Sequence, residues 1–441
     1  MGGCGWIGVS AHSAHRSSTD SKTILEQGQP LCLNRFHRTY GYYDPLSIHF
    51  FTISTDIFCR GTGRSHPDTG YAAAVRLTCP RDELASRLAL ASRAASSKGT
   101  IPVLANVLLK AEEGLVELAS TDMEVSLRVP LDDAGVEEHG AVVLPRLAAD
   151  LVRSMAPGPV TLVHNQNEGQ VQISGGGSSF NLNCHQAGEY PELPGDTGTG
   201  IQIPSTAFVE CAERVVRAAS RDETRPVLTG VLVRIGPDGL TMAATDSYRL
   251  AVRTVPLNDA PAETREAILP ARAVAEATRL AGQAGDSDVE VVLGESQATI
   301  RCGGIRLTTR LIDGQFPDYR QLIPAEFEHD VRLDRAEFLG VLTRIGVLAQ
   351  RTAPLRLSFE QGQLTVATAS EQVGEGRESM PAPYTGEPLE IGFNADFLRE
   401  GVDGIDGDEV RLGLISPLRP GLLRGAEDEH RYLLMPIRLP G

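Results

Sequence analysis

The chain has 441 residues, 41% of them hydrophobic and 22% charged, which suffices for about three domains with sizeable cores. A formal net charge of −16 excludes indiscriminate attraction of the whole surface to nucleic acid or anionic membrane, while leaving room for a local basic face. Seven Cys without a CxxC pair read as reduced thiols of a cytosolic protein, and neither a secretory h-region nor an apolar run of about 18 residues appears.

Residues 1–74 stand apart. They hold nine of the 22 aromatic residues and half of the ten His, with six basic and five acidic residues, so that residues 75–441 carry 35 basic against 52 acidic. Hydrophobic periodicity is poor here, and the segment reads as a poorly ordered N-terminal extension or as sequence upstream of the true start. Its GCGWIG fits GxGxxG from Gly3 to Gly8. A dinucleotide turn needs a strand before it and a helix after it, and only two residues precede this one, so the match reads as chance.

From residue 75 the sequence repeats itself. PVLANVLLKAEEG at Pro102 returns as PVLTGVLVRIGPDG at Pro226, 124 residues on, and Thr121-Asp122 returns as Thr245-Asp246 at the same separation. A weaker third copy places Leu364-Thr365 at 124 after Leu240-Thr241. The period is too long for a solenoid and long enough for a domain. The predicted units span residues 75–196, 197–324 and 325–441.

Within the first unit, PRDELASRLALASRA predicts a helix with Leu84, Leu88, Ala91 and Ala95 on its buried face and Arg93 opposite, Lys98 lying just beyond its end. A second helix starts near Pro145, bringing Arg146 and Arg153. SGGGSSF at 174–180 lacks the Lys-Ser/Thr ending of a phosphate loop and predicts a hairpin turn. In the second unit PSTAFVECAERVVRAAS buries Phe208, Ala212, Val215 and Ala219 and sets Arg214, Arg217 and Arg221 on the opposite face. The alternating runs GLTMAATD and RLAVRTVPL predict strands, and a helix near Pro270 carries Arg272 and Arg279. The third unit opens with LDRAEFLGVLTRIGVLAQ, burying Phe338, Leu342, Ile345 and Ala349 and projecting Arg344 and Arg351, and its second helix starts at Asn394. The fold class is therefore α+β, strand-dominated, with two helices per unit. Arg on corresponding faces of an acidic chain suggests helices lining one surface that faces phosphates, with sequence-independent and salt-sensitive contacts.

ATDSYRL at 244–250 brings an acid, a cation and hydroxyls together and invites a catalytic reading. The repeat tests it. The first copy keeps Thr121-Asp122 but continues Met123-Glu124, and the third has Thr368-Ala369-Ser370 with no carboxylate. Thr-Asp thus marks a turn in which Asp accepts backbone N–H groups. No His/Cys cluster suits zinc, and no Ser/His/Asp set can be assembled by spacing.

IPVLANVLL, RPVLTGVLV, ATDSYRLAV, LIDGQFPDYRQLIP, IGFNADFL and the terminal YLLMPIRLPG, in this order, make residues 75–441 resemble the bacterial β sliding clamps, the processivity subunits of DNA polymerase III. The resemblance implies a DNA clamp fold of three similar domains, each with two inner helices under outer antiparallel sheets. It implies a homodimeric ring around duplex DNA, not an enzyme, without cofactor or metal, cytoplasmic and nucleoid-associated. DNA polymerase III, clamp-loader subunits and other proteins with clamp-binding motifs would be its partners. Arg93, Lys98, Arg214, Arg217, Arg221, Arg344 and Arg351 would face DNA.

The resemblance also implies a hydrophobic groove for partner peptides between the middle and last domains. Leu228, Thr245, Ser247, Tyr248, Arg249 and Leu250 would form one side. Pro317, Gln321 and Leu322 join it, and Leu433, Met435, Pro436, Ile437 and Leu439 complete it. Leu, Pro and Met suit an adaptable apolar groove. Family members often have Gly-His where Ser247-Tyr248 stand and Arg where Gln321 stands, which admits a divergent paralog with altered partner binding. An enzyme using Asp246 or the GxGxxG stretch is the remaining alternative.

Overall fold

The computed structural model describes residues 74–439 apart from 97–100, 166–168, 196–197, 286, 350–352, 371 and 427–428. The extension read over residues 1–74 lies outside the described residues except for Ala74.

Six α-helices are described: α1 (Arg81–Ala91), α2 (Ala148–Ser154), α3 (Ser205–Val215), α4 (Ala271–Gln283), α5 (Arg335–Gly346) and α6 (Ala395–Asp403). The odd-numbered helices each follow directly on a strand. Pro80 and Pro204 make that junction in the first two repeats, where a fixed φ and a missing N–H suit a helix start. The third repeat uses side-chain caps instead. Asp334 accepts the Glu337 N–H at 2.7 Å, and Asn394 accepts the Phe397 N–H at 3.0 Å to start α6. Phe208, Cys211, Ala212 and Val215 form the buried stripe of α3, and Phe338, Val341, Leu342 and Ile345 that of α5. Burying each of the larger side chains contributes about 2 kcal/mol.

The opening helices are shorter than their periodicity suggests. α1 ends at Ala91, where the Ser92 hydroxyl donates back to the Leu88 carbonyl at 2.7 Å. α3 ends at Val215 and tightens into a 3₁₀ turn over Val216–Ala218, two consecutive β-branched residues marking the change. Arg93 and Arg221 therefore follow helix ends, and Arg217 sits in the 3₁₀ turn, rather than all lying on one helical face.

Among the described residues the strands form four antiparallel sheets of five, nine, eight and four strands. Alternation sets their faces: Val75, Leu77 and Cys79 of Val75–Pro80 point into the core and their neighbours do not. SGGGSSF is the two-residue hairpin between Gln170–Gly175 and Ser178–Asn183, and both loop glycines, Gly176 and Gly177, have positive φ as its tight turn requires.

The two larger sheets cross from one repeat to the next. Val125–Pro130 of the first repeat pairs with Ile305–Arg310 of the second, and Arg249–Val255 of the second pairs with His430–Leu434 of the third. The corresponding strands at the two ends, Ser178–Asn183 and Gly374–Pro381, are sheet edges. The structure is thus the α+β arrangement expected from the sequence, with a helix pair beneath sheets in each repeat. No helix among the described residues is long and apolar enough to cross a membrane.

One large core runs through all three repeats. Two smaller apolar clusters lie outside it. One gathers Leu108, Ala119, Val143 and Tyr190 of the first repeat. Its counterpart gathers Leu232, Ala243, Ile268 and Phe316 of the second, and adds Leu422 and Leu433 from the third. The second cluster therefore straddles the seam between the middle and last repeats.

Candidate functional site

The two Thr-Asp turns are superimposable in chemistry. Asp246 Oδ1 accepts the N–H groups of Tyr248 and Arg249, each at 2.9 Å, and Asp122 Oδ1 accepts those of Glu124 and Val125 at 3.1 and 2.9 Å. The Thr245 hydroxyl donates to the Arg249 carbonyl at 2.7 Å, and the Thr121 hydroxyl to the Val125 carbonyl at 3.0 Å. Ser247 (φ 80°) and Met123 (φ 78°) are the non-glycine residues with positive φ among those described, and they occupy the same place in the two turns. Asp246 is an architectural residue, and its oxygens are already committed.

Ser247 and Tyr248 project from this turn at the seam of the middle and last repeats. Tyr248 is 64% exposed, and its carbonyl accepts the Met435 N–H at 2.9 Å. The exposed Tyr248 and Met435 side chains are thereby held on adjacent strand ends. Beneath them Leu250 faces Leu433 across the seam, both buried in the second apolar cluster. Leu228 is half-buried in the 3₁₀ turn Pro226–Thr229. Pro317 and Leu322 are exposed on either side of Tyr319, and Gln321 donates to Asp318 at 2.7 Å. Past Met435, Pro436, Ile437 and Leu439 are half-buried, and the Ile437 N–H donates to the Gly392 carbonyl at 2.7 Å. Thr245 is buried.

Arg249 differs from its neighbours. It is 9% exposed and lies in the seam between the middle and last repeats. It pairs with Asp246 at 3.2 Å and with Glu400 of α6, donates to the Tyr432 hydroxyl at 3.1 Å and to the Arg217 carbonyl, and stacks on Phe397 at 4.1 Å. Burial disfavours its charge, but Tyr432 and Glu400 more than offset this and hold its pKa above the usual guanidinium value. Its contacts join the middle repeat to the last.

Arg225, not among the residues singled out from the sequence, donates to the Ser247 hydroxyl at 3.0 Å and pairs with Asp222 at 2.9 Å, bracing the turn. Its position immediately before PVLTG was the available signal. Glu400 and Phe397 left none, since α6 lies about 150 residues from Arg249 in sequence.

The basic residues divide. Arg93 reaches from the first repeat to Glu276 of α4 at 3.1 Å, and Arg272 of α4 reaches back to Asp122. At the next seam Arg214 pairs with Asp406, and Arg217 with Asp403 at 3.2 Å. Arg344 pairs within its own repeat with Glu378 at 2.6 Å. Arg221 is exposed, and among the described residues it shows no ion pair. Lys98 and Arg351 lie outside the described residues. A cavity of about 360 Å³ at the first seam gathers Arg93, Arg146, Arg272 and Arg279 around the single carboxylate of Glu276. Three of these arginines belong to α4 or precede α2, helices whose cationic i,i+7 pairs were visible in the sequence.

Cys79, Cys211 and Cys302 are buried free thiols and Cys184 is half-buried. Burial pushes the Cys211 thiol up to about 12, which leaves it unreactive. Among the described residues no group of His, Cys, Asp and Glu is arranged to hold a metal ion.

Three α+β repeats fused edge to edge through shared sheets, with a helix pair in each, are the architecture of a DNA clamp. Models of the DNA polymerase III beta subunit match residues 75–194 as its N-terminal domain, 202–318 as its central domain and 320–438 as its C-terminal domain. The beta sliding clamp of Synechococcus elongatus is 36% identical over 373 residues, spanning 83% of this chain and all of that protein. The beta sliding clamp of Streptomyces coelicolor is 36% identical over 382 residues with the same coverage. Among solved structures, the beta sliding clamp of Caulobacter crescentus matches with a TM-score of 0.79 at 28% identity, over 83% of this chain and all of that one. The chain belongs to the bacterial β sliding clamp family, the β subunits of DNA polymerase III. Its function is accordingly that of a DNA polymerase processivity factor, and it is not an enzyme.

Proposed function

We propose that two copies of this chain, each with units at 75–196, 197–324 and 325–441, close a ring around duplex DNA and hold DNA polymerase III on it through the groove at the middle–last seam. Ring closure is supported by one observation above the others. Two of three equivalent seams are made within the chain, and the strands that would make the third, Ser178–Asn183 and Gly374–Pro381, are left as edges. Such edges invite pairing with another chain, and head-to-tail pairing of two copies uses both of them twice.

The internal repeat supplies a register. Leu127 opposes Leu307 at the first seam and Ala251 opposes Tyr432 at the second. Carried along the repeat, Gly376 would oppose Phe180 of the partner subunit, and Arg377 would oppose Ser179 of the partner subunit. Phe180, Val347 and Val373, all exposed apolar residues at the two ends, would then be covered. Ser179→Cys combined with Arg377→Cys should yield a covalent dimer on oxidation, and neither single variant should. A strict monomer by native mass measurement would remove the ring.

Leu250, Leu433 and the exposed Met435 and Tyr248 support docking of a short apolar peptide. Titration with a polymerase tail peptide tests this: Met435→Ala should weaken binding, and equal tight binding would refute the groove. The clamp loader and other partners carrying such peptides would use the same site. The ring would contact DNA through phosphates alone, with Arg93, Lys98, Arg214, Arg217, Arg221, Arg344 and Arg351 on the facing surface, in the cytoplasm at the nucleoid. Retention on closed circular DNA with run-off from linear DNA is the expected behaviour.

A further inference from the structure

A second cleft, of about 850 Å³, lies on the same sheet face as Leu250 but shares no residue with the groove. Its floor is apolar, with Val252 of the middle repeat and Leu422 of the last on strands either side of His430–Leu434. The connector between these repeats walls it with Tyr319, Ile323, Pro324 and Phe327. Around this floor stand Arg234, Arg320, Arg424 and Arg431, against Asp238 and Glu429. Glu429 already faces Arg253 at 3.2 Å. The cleft is therefore cationic on a chain whose residues 75–441 are strongly acidic.

Two of the arginines sit against aromatic rings. The Arg424 guanidinium lies 5.5 Å from the Phe327 ring centre, and that of Arg320 lies 5.0 Å from Tyr319. Arg424 donates to Asp330 at 3.0 Å, while its Nε is buried and makes no hydrogen bond. A guanidinium held against a ring and by an ion pair has less rotamer entropy to lose when its free N–H groups meet a carboxylate.

We propose that this cleft binds an extended acidic peptide segment of a partner protein, apolar side chains on the Val252–Leu422 floor and carboxylates on the arginines. A single nucleic-acid strand fits less well. Base stacking needs open ring faces, and Tyr319 is 5% exposed while Arg424 covers Phe327.

The test is fluorescence anisotropy on the full chain with a fluorescein-labelled peptide of alternating Glu and Leu. The expected result is binding that weakens about tenfold when Gln replaces Glu, and about tenfold in the Arg234→Glu/Arg320→Glu variant at unchanged melting temperature. Arg431→Glu, exposed on its strand, gives the same reading should the double variant melt early. Met435→Ala, which acts at the groove, should leave this binding intact. Equal affinity for the Gln peptide, indifference to the arginine variants, loss of binding in Met435→Ala or displacement by oligothymidylate would each overturn the proposal, the last assigning the cleft to nucleic acid.

Discussion

Asp246 shows how far a residue's type can mislead when it is read alone. Set beside Tyr248 and Arg249 it resembles a catalytic acid, but its carboxylate closes a turn and neutralises Arg249. Asp246→Ala should cost about 2 kcal/mol in urea unfolding, and Asp246→Asn about half of that, since the amide oxygen keeps the turn while the ion pair is lost. Arg249 carries more. Arg249→Met leaves Asp246 and Glu400 without their shared cation in the seam, and the expected loss is about 3 kcal/mol. A loss below about 1 kcal/mol would mean that the seam does not depend on Arg249. The Ser247-Tyr248 pair was legible as a break in the repeat. The burial of Arg249 was not, because its partners lie in α6 and in the chain's last strand.

At the scale of elements, the strand His430–Leu434 joins the last repeat to the middle one, and His430 faces Arg253 across that seam. Burial, together with Arg253 and Arg214, lowers the His430 pKa from 6.5 to about 4, with Asp406 opposing. The folded chain thus keeps a neutral imidazole where the unfolded chain takes up a proton. Stability from this source is complete above about pH 6.5 and is lost as pH falls through 4, by about 3 kcal/mol in all. Urea unfolding at pH 7 and at pH 4 should show the loss, and His430→Phe should flatten that part of the profile. The opening helices taught a different lesson. Their apolar periodicity was readable, but it continued past the true ends at Ala91 and Val215, because alternation of burial persists into the 3₁₀ turn and loop that follow.

For the whole molecule, the division of the arginines has a consequence for DNA binding. Arg146 and Arg221 are exposed and, among the described residues, show no ion pair, whereas Arg93 and Arg217 tie repeats together. Arg146→Glu with Arg221→Glu should lower retention on circular DNA and reduce the salt slope by about one per lost phosphate contact, without lowering the melting temperature. Arg93→Glu should lower both retention and melting temperature, since it sets a second carboxylate against that of Glu276. Unchanged retention in the double variant would remove these helix ends from the DNA-facing surface.

The sequence by itself determined the repeat, the two helices of each unit, the turn chemistry of Thr-Asp and the family, but not the strands Val75–Pro80, Ile201–Pro204 and His329–Asp334 that precede the opening helices. Each of the features it determined depends on periods of two or 3.6 residues, or on short motifs, which act over neighbouring positions. Only the tertiary structure decided that Arg249 is a seam residue, that Arg93, Arg214 and Arg217 are joined to acids of the next repeat, that Leu250 and Leu433 share one cluster, and that a cationic cleft lies beside it. Those pairings join residues more than a hundred positions apart. They follow from how whole sheets align edge to edge, and no local pattern records which distant acid will meet which arginine.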